Sequence, residues 1–235
     1  MNTENKNLPE VLVGGFPNSG TSFLCNLIVT LGKSPGNEKS LKDSDSHNRW
    51  GYYEHMPIRE IVWTAAGFNK FQPDQPDFLP SAPIPLNQVA GQHIEKIQKI
   101  ASEEQVEVYK DNALPLVYNF FSPDSKYIIT ERDIRAIYQS PIKAGKPGYD
   151  CSVEELEKRY QAYMQLVKAY MYKEVDCMIV QYEDFKNDFD TTVKKVAHHI
   201  GVDLTDELQA RCQEIFKPRK AESLKSKLSS LFKKA

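Results

Sequence analysis

The sequence predicts an α/β protein with three layers: a mostly parallel central sheet covered by helices on both faces. Three observations carry that expectation. Four short runs, 11–15, 106–110, 127–131 and 177–182, are rich in β-branched or aromatic residues. Helical sequence separates each run from the next, so the strands are joined by crossovers and run parallel. With 235 residues and 40% hydrophobic side chains, the chain is large enough for one globular domain with a single well-buried core.

Taken in order, Val11-Leu12-Val13-Gly14-Gly15 is an apolar run ending in glycine, and Thr21 to Leu31 follows as a helix stopped by Gly32. Residues 33–49 are nearly all polar and read as a surface loop. Five prolines between Pro73 and Pro85 forbid a helix or central strand there. Long segments of this kind more often serve function than merely connect, so a substrate lid is expected. The clearest helix runs from about Val153 to Tyr172, with Val153, Leu156, Tyr160, Tyr163, Met164, Val167, Tyr170 and Met171 at 3–4 spacing. Another carries Phe189, Val193, Val196 and Ile200 and is closed by Gly201. Residues 1–216 read as one domain and 217–235 as a basic amphipathic tail.

Charge and composition exclude several classes. The formal charge of −2 divides into +6 on residues 217–235 and −8 on the rest. A body this acidic does not suit a general nucleic-acid binder, whose affinity rests on neutralising phosphates. No run of 18 apolar residues offers a spanning helix, and the polar start MNTENKNLPE reads as no secretory signal. Cys25, Cys151, Cys177 and Cys212 are far apart with no CxxC, which reads as reduced thiols in a cytoplasmic compartment. His198 and His199 are adjacent on a helix and face different ways. No HxxxH, HxH or acidic pair suggests a metal, and none is expected.

In parallel sheets, ligands bind beyond the carboxyl ends of the strands. Just after the first strand comes Gly15-Phe16-Pro17-Asn18-Ser19-Gly20-Thr21-Ser22. Its glycines let backbone approach an anion, and the N–H groups of Ser19, Gly20, Thr21 and Ser22 would point at it from a helix N-terminus. The hydroxyls of Ser19, Thr21 and Ser22 add donors. A Walker loop would have lysine where Thr21 stands, so the lysine and Mg²⁺ logic of a nucleoside triphosphatase is weakened. By itself the segment reads as a phosphate loop, or as an ordinary strand-to-helix turn.

At these residues the sequence resembles the sulfotransferases that use 3′-phosphoadenosine-5′-phosphosulfate (PAPS). Their 5′-phosphosulfate loop reads Pro-[Lys/Arg]-[Ser/Thr]-Gly-Thr-[Thr/Ser]-[Trp/Phe/Leu]. Pro17-Asn18-Ser19-Gly20-Thr21-Ser22-Phe23 follows it with Asn18 in the basic position. The family's 3′-phosphate motif puts an arginine at a strand end and a serine eight residues later; Arg132 and Ser140 repeat that spacing, with Ile134 for the usual proline. Val180-Gln181-Tyr182-Glu183-Asp184-Phe185 is similar to the family's Tyr-Glu-Asp-[Leu/Phe]. The resemblance spans residues 11 to about 201. It implies that Asn18 to Ser22 hold the 5′-phosphosulfate, that Arg132 and Ser140 hold the 3′-phosphate, and that Phe23 and Tyr182 contact adenine.

Sulfonate transfer needs positioning, charge neutralisation and a base for the acceptor proton. The family's small-molecule members carry Lys-x-His after a strand; here Lys110-Asp111-Asn112 keeps the lysine and has Asn112 in the histidine's place. The segment is more similar to the Lys-Asp-Pro-Arg of small bacterial-type sulfotransferases, as Trp50-Gly51-Tyr52-Tyr53-Glu54 is to their Gly-[Tyr/Phe]-aromatic-Glu. Other branches use a glutamate base, so Glu54 is expected to take the acceptor proton. Lys110 is expected to supply positive charge, oriented by Asp111. The structural alternatives are a helix-start carboxylate for Glu54 and a buried pair for Lys110 and Asp111.

The expected activity is transfer of sulfonate from PAPS to a hydroxyl or amine of a small-molecule, glycan or lipid acceptor, without a metal. A P-loop phosphotransferase (a nucleoside or small-molecule kinase) is the second reading. A non-catalytic nucleotide-binding protein, motivated by Asn18 and Asn112, is the third. The tail, with Leu224, Leu228, Leu231 and Phe232 on one helical face, suits docking on the acidic body better than contact with an anionic membrane surface.

Overall fold

The computed structural model describes residues 8–43, 51–67, 83–84, 91–143 and 148–216. Trp50, residues 44–49, the proline-rich segment apart from residues 83–84, and the tail from Lys217 onward lie outside the described residues, and with them the expectations placed there.

Strands β1 (Val11–Gly15), β2 (Val108–Lys110), β3 (Lys126–Glu131) and β4 (Cys177–Gln181) form one sheet in the order β2-β1-β3-β4. All three pairings are parallel. Alternate side chains enter two separate cores. Leu12, Tyr109, Tyr127 and Ile129 pack to one side, and Val11, Val13, Val108 and Ile128 to the other. Burial on both faces is why β1 reads as an unbroken apolar run.

One side is covered by α1 (Thr21–Thr30), α8 (Asp184–Asn187), α9 (Phe189–His199) and α10 (Asp206–Phe216), through Leu24, Leu27, Ile28, Phe185, Val193, Val196 and Cys212. The other is covered by α2 (Met56–Ala65), α3 (Gly91–Glu104), α4 (Leu114–Val117), α5 (Ile134–Lys143) and α6 (Val153–Leu166). Ser152 caps α6 by accepting from Glu155 N, and the acids Glu154 and Glu155 follow in its first turn.

The strand and helix expectations are met with local differences. The second strand begins at Val108, because Val106 forms an isolated antiparallel bridge with Pro35. Ser34 O accepts from both Glu107 N and Val108 N, which ties the start of the polar segment to this strand. The described part of that segment, residues 33–43, is more ordered than its composition suggests. Asn37 caps a 3₁₀ turn at Glu38–Ser40, and Leu41 bridges to His55. The long helix does not run evenly to Tyr172: after Leu166 it widens into a π turn, Val167–Met171, before α7 (Tyr172–Glu174).

Parallel pairing puts all four strand ends on one edge. Gly15 lies opposite Thr130, Val13 opposite Lys110, and Glu131 opposite Gln181. The chain leaves β1 for β2 on one side, and β3 lies on the other. The edge beyond β1 is therefore the switch point where such sheets form a crevice.

Candidate active site

The loop from β1 into α1 is held by contacts that only close approach allows. Gly15 has φ 154°, and a Cβ there would lie 2.2 Å from Thr130 Oγ1 and 2.6 Å from Ser19 Oγ. Those two hydroxyls hydrogen-bond each other at 2.5 Å, wholly buried. Asn18 follows at φ 66°, a left-handed conformation that asparagine tolerates. Its Nδ2 donates to the Tyr149 hydroxyl at 2.6 Å. Gly20, at φ 105°, then starts α1 with no side-chain cap and no acid in the first turn. Compared with the capped, acidic start of α6, the N-terminus of α1 has neither a side-chain cap nor a nearby acid at its first N–H groups.

The second arm arrives from β3. Arg132 Nη1 donates to Asn18 O at 2.9 Å, its guanidinium lies 4.6 Å from the Tyr182 ring centroid, and its Nε is buried without a hydrogen-bond partner among the described residues. The Tyr182 ring in turn faces Gly20, where a Cβ would stand 2.4 Å from Tyr182 Cδ2. Residues from β1, β3 and β4 therefore meet at one place. Ser140 is half-buried on α5, the helix that Arg132 leads into. Phe23 is a core residue: it is 5% exposed and packs edge-on against Phe185, Phe216 and Tyr182. Tyr182, by contrast, is partly exposed at this edge.

Two hydroxyls that the sequence presents only as part of an apolar helix face organise both arms. Tyr163 OH accepts from Gly15 N at 3.1 Å and donates to Asn112 O at 2.9 Å. Tyr160 OH accepts from Arg132 N at 3.3 Å. Phe16 sits edge-on to both rings, with centroids 5.6 and 5.7 Å away. A signal existed in the sequence: a tyrosine on a buried stripe must bring its hydroxyl to a partner. Burial pushes the Tyr160 phenol up to about 12 and that of Tyr163 well above its ordinary value, so both remain protonated.

At the end of β2 lies a charged cluster. Tyr53 takes a left-handed φ of 52° and sets Glu54 beside Lys110. Lys110 Nζ donates to Glu54 Oε1 at 3.2 Å and to Tyr52 O at 2.9 Å. Glu54 Oε2 is ion-paired with Arg59 and lies 3.4 Å from Lys42 Nζ. Burial would raise the Glu54 pKa, but Lys110, Arg59 and Lys42 outweigh it and hold the carboxyl below its usual range. Asp111 does not orient Lys110. Its oxygens accept from Trp63 Nε1 at 2.9 Å, Tyr109 OH at 2.7 Å and Ala113 N at 2.8 Å.

The model of the sulfotransferase family matches residues 9–206. The chain belongs to the sulfotransferase family. No curated protein sequence matches this sulfotransferase. Among solved structures, it is similar to the sulfotransferase domain of the Synechococcus PCC 7002 olefin synthase (13% identity, 88% of this chain and 78% of that one, TM-score 0.49). It is also similar to STF1 from Mycobacterium tuberculosis H37Rv (14%, 88% and 71%, 0.49) and to mouse sulfotransferase SULT7A1 complexed with PAP (12%, 89% and 65%, 0.46). Among the described residues, no His, Cys, Asp or Glu group is gathered to hold a metal, and no helix is long and apolar enough to cross a membrane.

Proposed function

We propose that this sulfotransferase takes its sulfonate from PAPS and passes it to a hydroxyl or amine of an acceptor. One observation carries the reading. The uncapped start of α1, the Arg132 guanidinium and the Tyr182 ring converge at the switch point of the sheet. Two features support that donor: Arg132 Nε is a buried donor without a partner among the described residues, and Gly20, having no Cβ, lets the Tyr182 ring lie against the start of α1.

In this reading the loop N–H groups, with the hydroxyls of Thr21 and Ser22, hold the 5′-phosphosulfate. Arg132, with Ser140 along α5, holds the 3′-phosphate, for which a guanidinium fork is well matched. Tyr182 offers its ring to adenine, and Phe23 supports that ring from the core. Bound there, the donor supplies an activated sulfonate with a phosphate as its leaving group. Asn18 donates a hydrogen bond where a cation is usual, and Lys110 contributes the positive charge at this edge. Glu54, held ionised by its three cations, receives the acceptor proton.

Calorimetry with 3′,5′-adenosine bisphosphate and with ADP–Mg²⁺ tests the donor. Binding of the bisphosphate without Mg²⁺ is expected, and a preference for ADP–Mg²⁺ overturns the reading in favour of a phosphotransferase. Desulfonation of PAPS in the presence of acceptor tests the base. Glu54→Gln should lower the rate by about 10²–10⁴-fold, and an equal rate removes Glu54 from proton transfer.

A further inference from the structure

Beside the charged cluster, a cleft of about 750 Å³ opens between the polar segment after α1 and the outer face of α2. Lys39, Lys42, Met56, Arg59, Glu60 and Trp63 line it, so three cations face one acid. Two of these cations, Arg59 and Lys42, are the residues that hold Glu54 Oε2. A third link runs from Trp63 Nε1 to Asp111 at the end of β2. The Glu54 carboxylate thus links the cleft's cations to the strand edge: Oε1 faces Lys110 and Oε2 faces Arg59 and Lys42.

The walls have a particular chemistry. The Arg59 guanidinium lies 3.8 Å from the Trp63 ring centroid, a stacking that fixes the plane of a fork whose Nη1 donates to Glu54 Oε2. Lys42 is 42% exposed and Lys39 is exposed, so both can turn towards a ligand. A neutral acceptor would leave Arg59 and Lys42 on Glu54. An acceptor bearing an oxyanion would meet three donors.

We propose that this cleft receives an oxyanion of the acceptor, a carboxylate or sulfate ester, which competes with Glu54 for Arg59 and Lys42. This rests on the preceding reading, in which the donor lies along the loop at Ser19 and Glu54 takes the proton. Competition has a chemical consequence. Arg59 and Lys42 are two of the three cations that keep Glu54 weakly basic, so an acceptor that draws them away strengthens the base it needs. Acceptors lacking the anion leave Glu54 clamped.

The chain has two tryptophans, so Trp50→Phe leaves Trp63, on the cleft wall, as the one indole reporter. Titration of that protein with D-glucuronate should give a saturable fluorescence change, and D-glucose should give none. Lys42→Gln and Arg59→Gln should each weaken the response about fivefold, the size of one partly screened charged contact. Glu54→Gln should tighten it several-fold, because the competing carboxylate is gone. Equal responses to the two sugars, no response to either, or unchanged or weaker binding in Glu54→Gln overturns the proposal. If Arg59→Gln does not fold, the exposed Lys42→Gln carries the same test. The same samples are titrated with 3′,5′-adenosine bisphosphate. Bisphosphate binding without glucuronate binding sinks this inference alone, whereas no bisphosphate binding sinks the donor reading.

Discussion

Arg132 Nη1 donates to the main-chain oxygen of Asn18 at 2.9 Å, joining two segments that are 114 residues apart in the chain. The bond places a guanidinium against a loop that carries no cation of its own. It follows from the register, because Gly15 and Thr130 are paired and Arg132 emerges two residues beyond.

Replacing Arg132 by lysine keeps the charge and loses the fork. Affinity for 3′,5′-adenosine bisphosphate should fall about tenfold or more, the worth of a lost charge-assisted bond. Affinity for 5′-AMP, which lacks the 3′-phosphate, should change far less. Calorimetry with both ligands decides it: equal losses would place Arg132 on the 5′ side.

Gly20→Ala should disable the proposed nucleotide site. The added methyl would stand 2.4 Å from Tyr182 Cδ2, at a φ of 105° that alanine resists. Gly32 has the same φ, with nothing within 4 Å of its own Cβ position, and serves as the control. Both variants should lose about 1–2 kcal/mol in urea unfolding through backbone strain. Only Gly20→Ala should also lose bisphosphate binding. Retained binding would mean that Tyr182 moves freely and does not shape the site.

Tyr163→Phe removes the partner of Gly15 N, which is buried, and of Asn112 O, which is partly buried. A loss of about 1–3 kcal/mol is expected for leaving buried polar groups unpaired. Tyr160→Phe touches only Arg132 N and should lose less, about 1 kcal/mol. Urea unfolding of both variants measures the difference. A Tyr163→Phe protein as stable as the parent would show that water replaces the hydroxyl.

Stability should fall as pH drops from 7.5 to 5.5. His55 is buried, and burial lowers its pKa, although the Glu104 carboxylate 3.1 Å away partly opposes this. Burial lowers His199 in the same direction. A histidine with a depressed folded pKa leaves the unfolded chain binding more protons. The stability it contributes is therefore present above the ordinary value of about 6.5 and lost as pH falls through the folded pKa. Glu54 has the same sign but titrates below the usual carboxylate range, outside this window. Thermal unfolding across these pH values should show a shallower fall in His55→Asn, which can still cap α2; an identical slope would acquit His55.

Period-two and period-3.6 patterns are local, and so are turn chemistry and motif spacing. That is why residues 11–31 and 126–140 announce a strand, a glycine-containing turn into a helix, a second strand and the arginine that follows it. The family was legible for the same reason. What one chain segment cannot carry is the identity of its partner. Phe23 and Tyr182 read alike as aromatic candidates, and only packing sends the first into the core and leaves the second at the edge. Tyr160 and Tyr163 read as two more apolar steps of a helix, yet their hydroxyls end on Arg132 and Gly15. Glu54 read as a candidate base, and only the fold surrounds it with Lys110, Arg59 and Lys42. Burial and pairing depend on residues distant in sequence, so the sequence by itself determined which groups are present and roughly on which element. The tertiary structure decided which of them meet, and therefore which are charged, exposed or held.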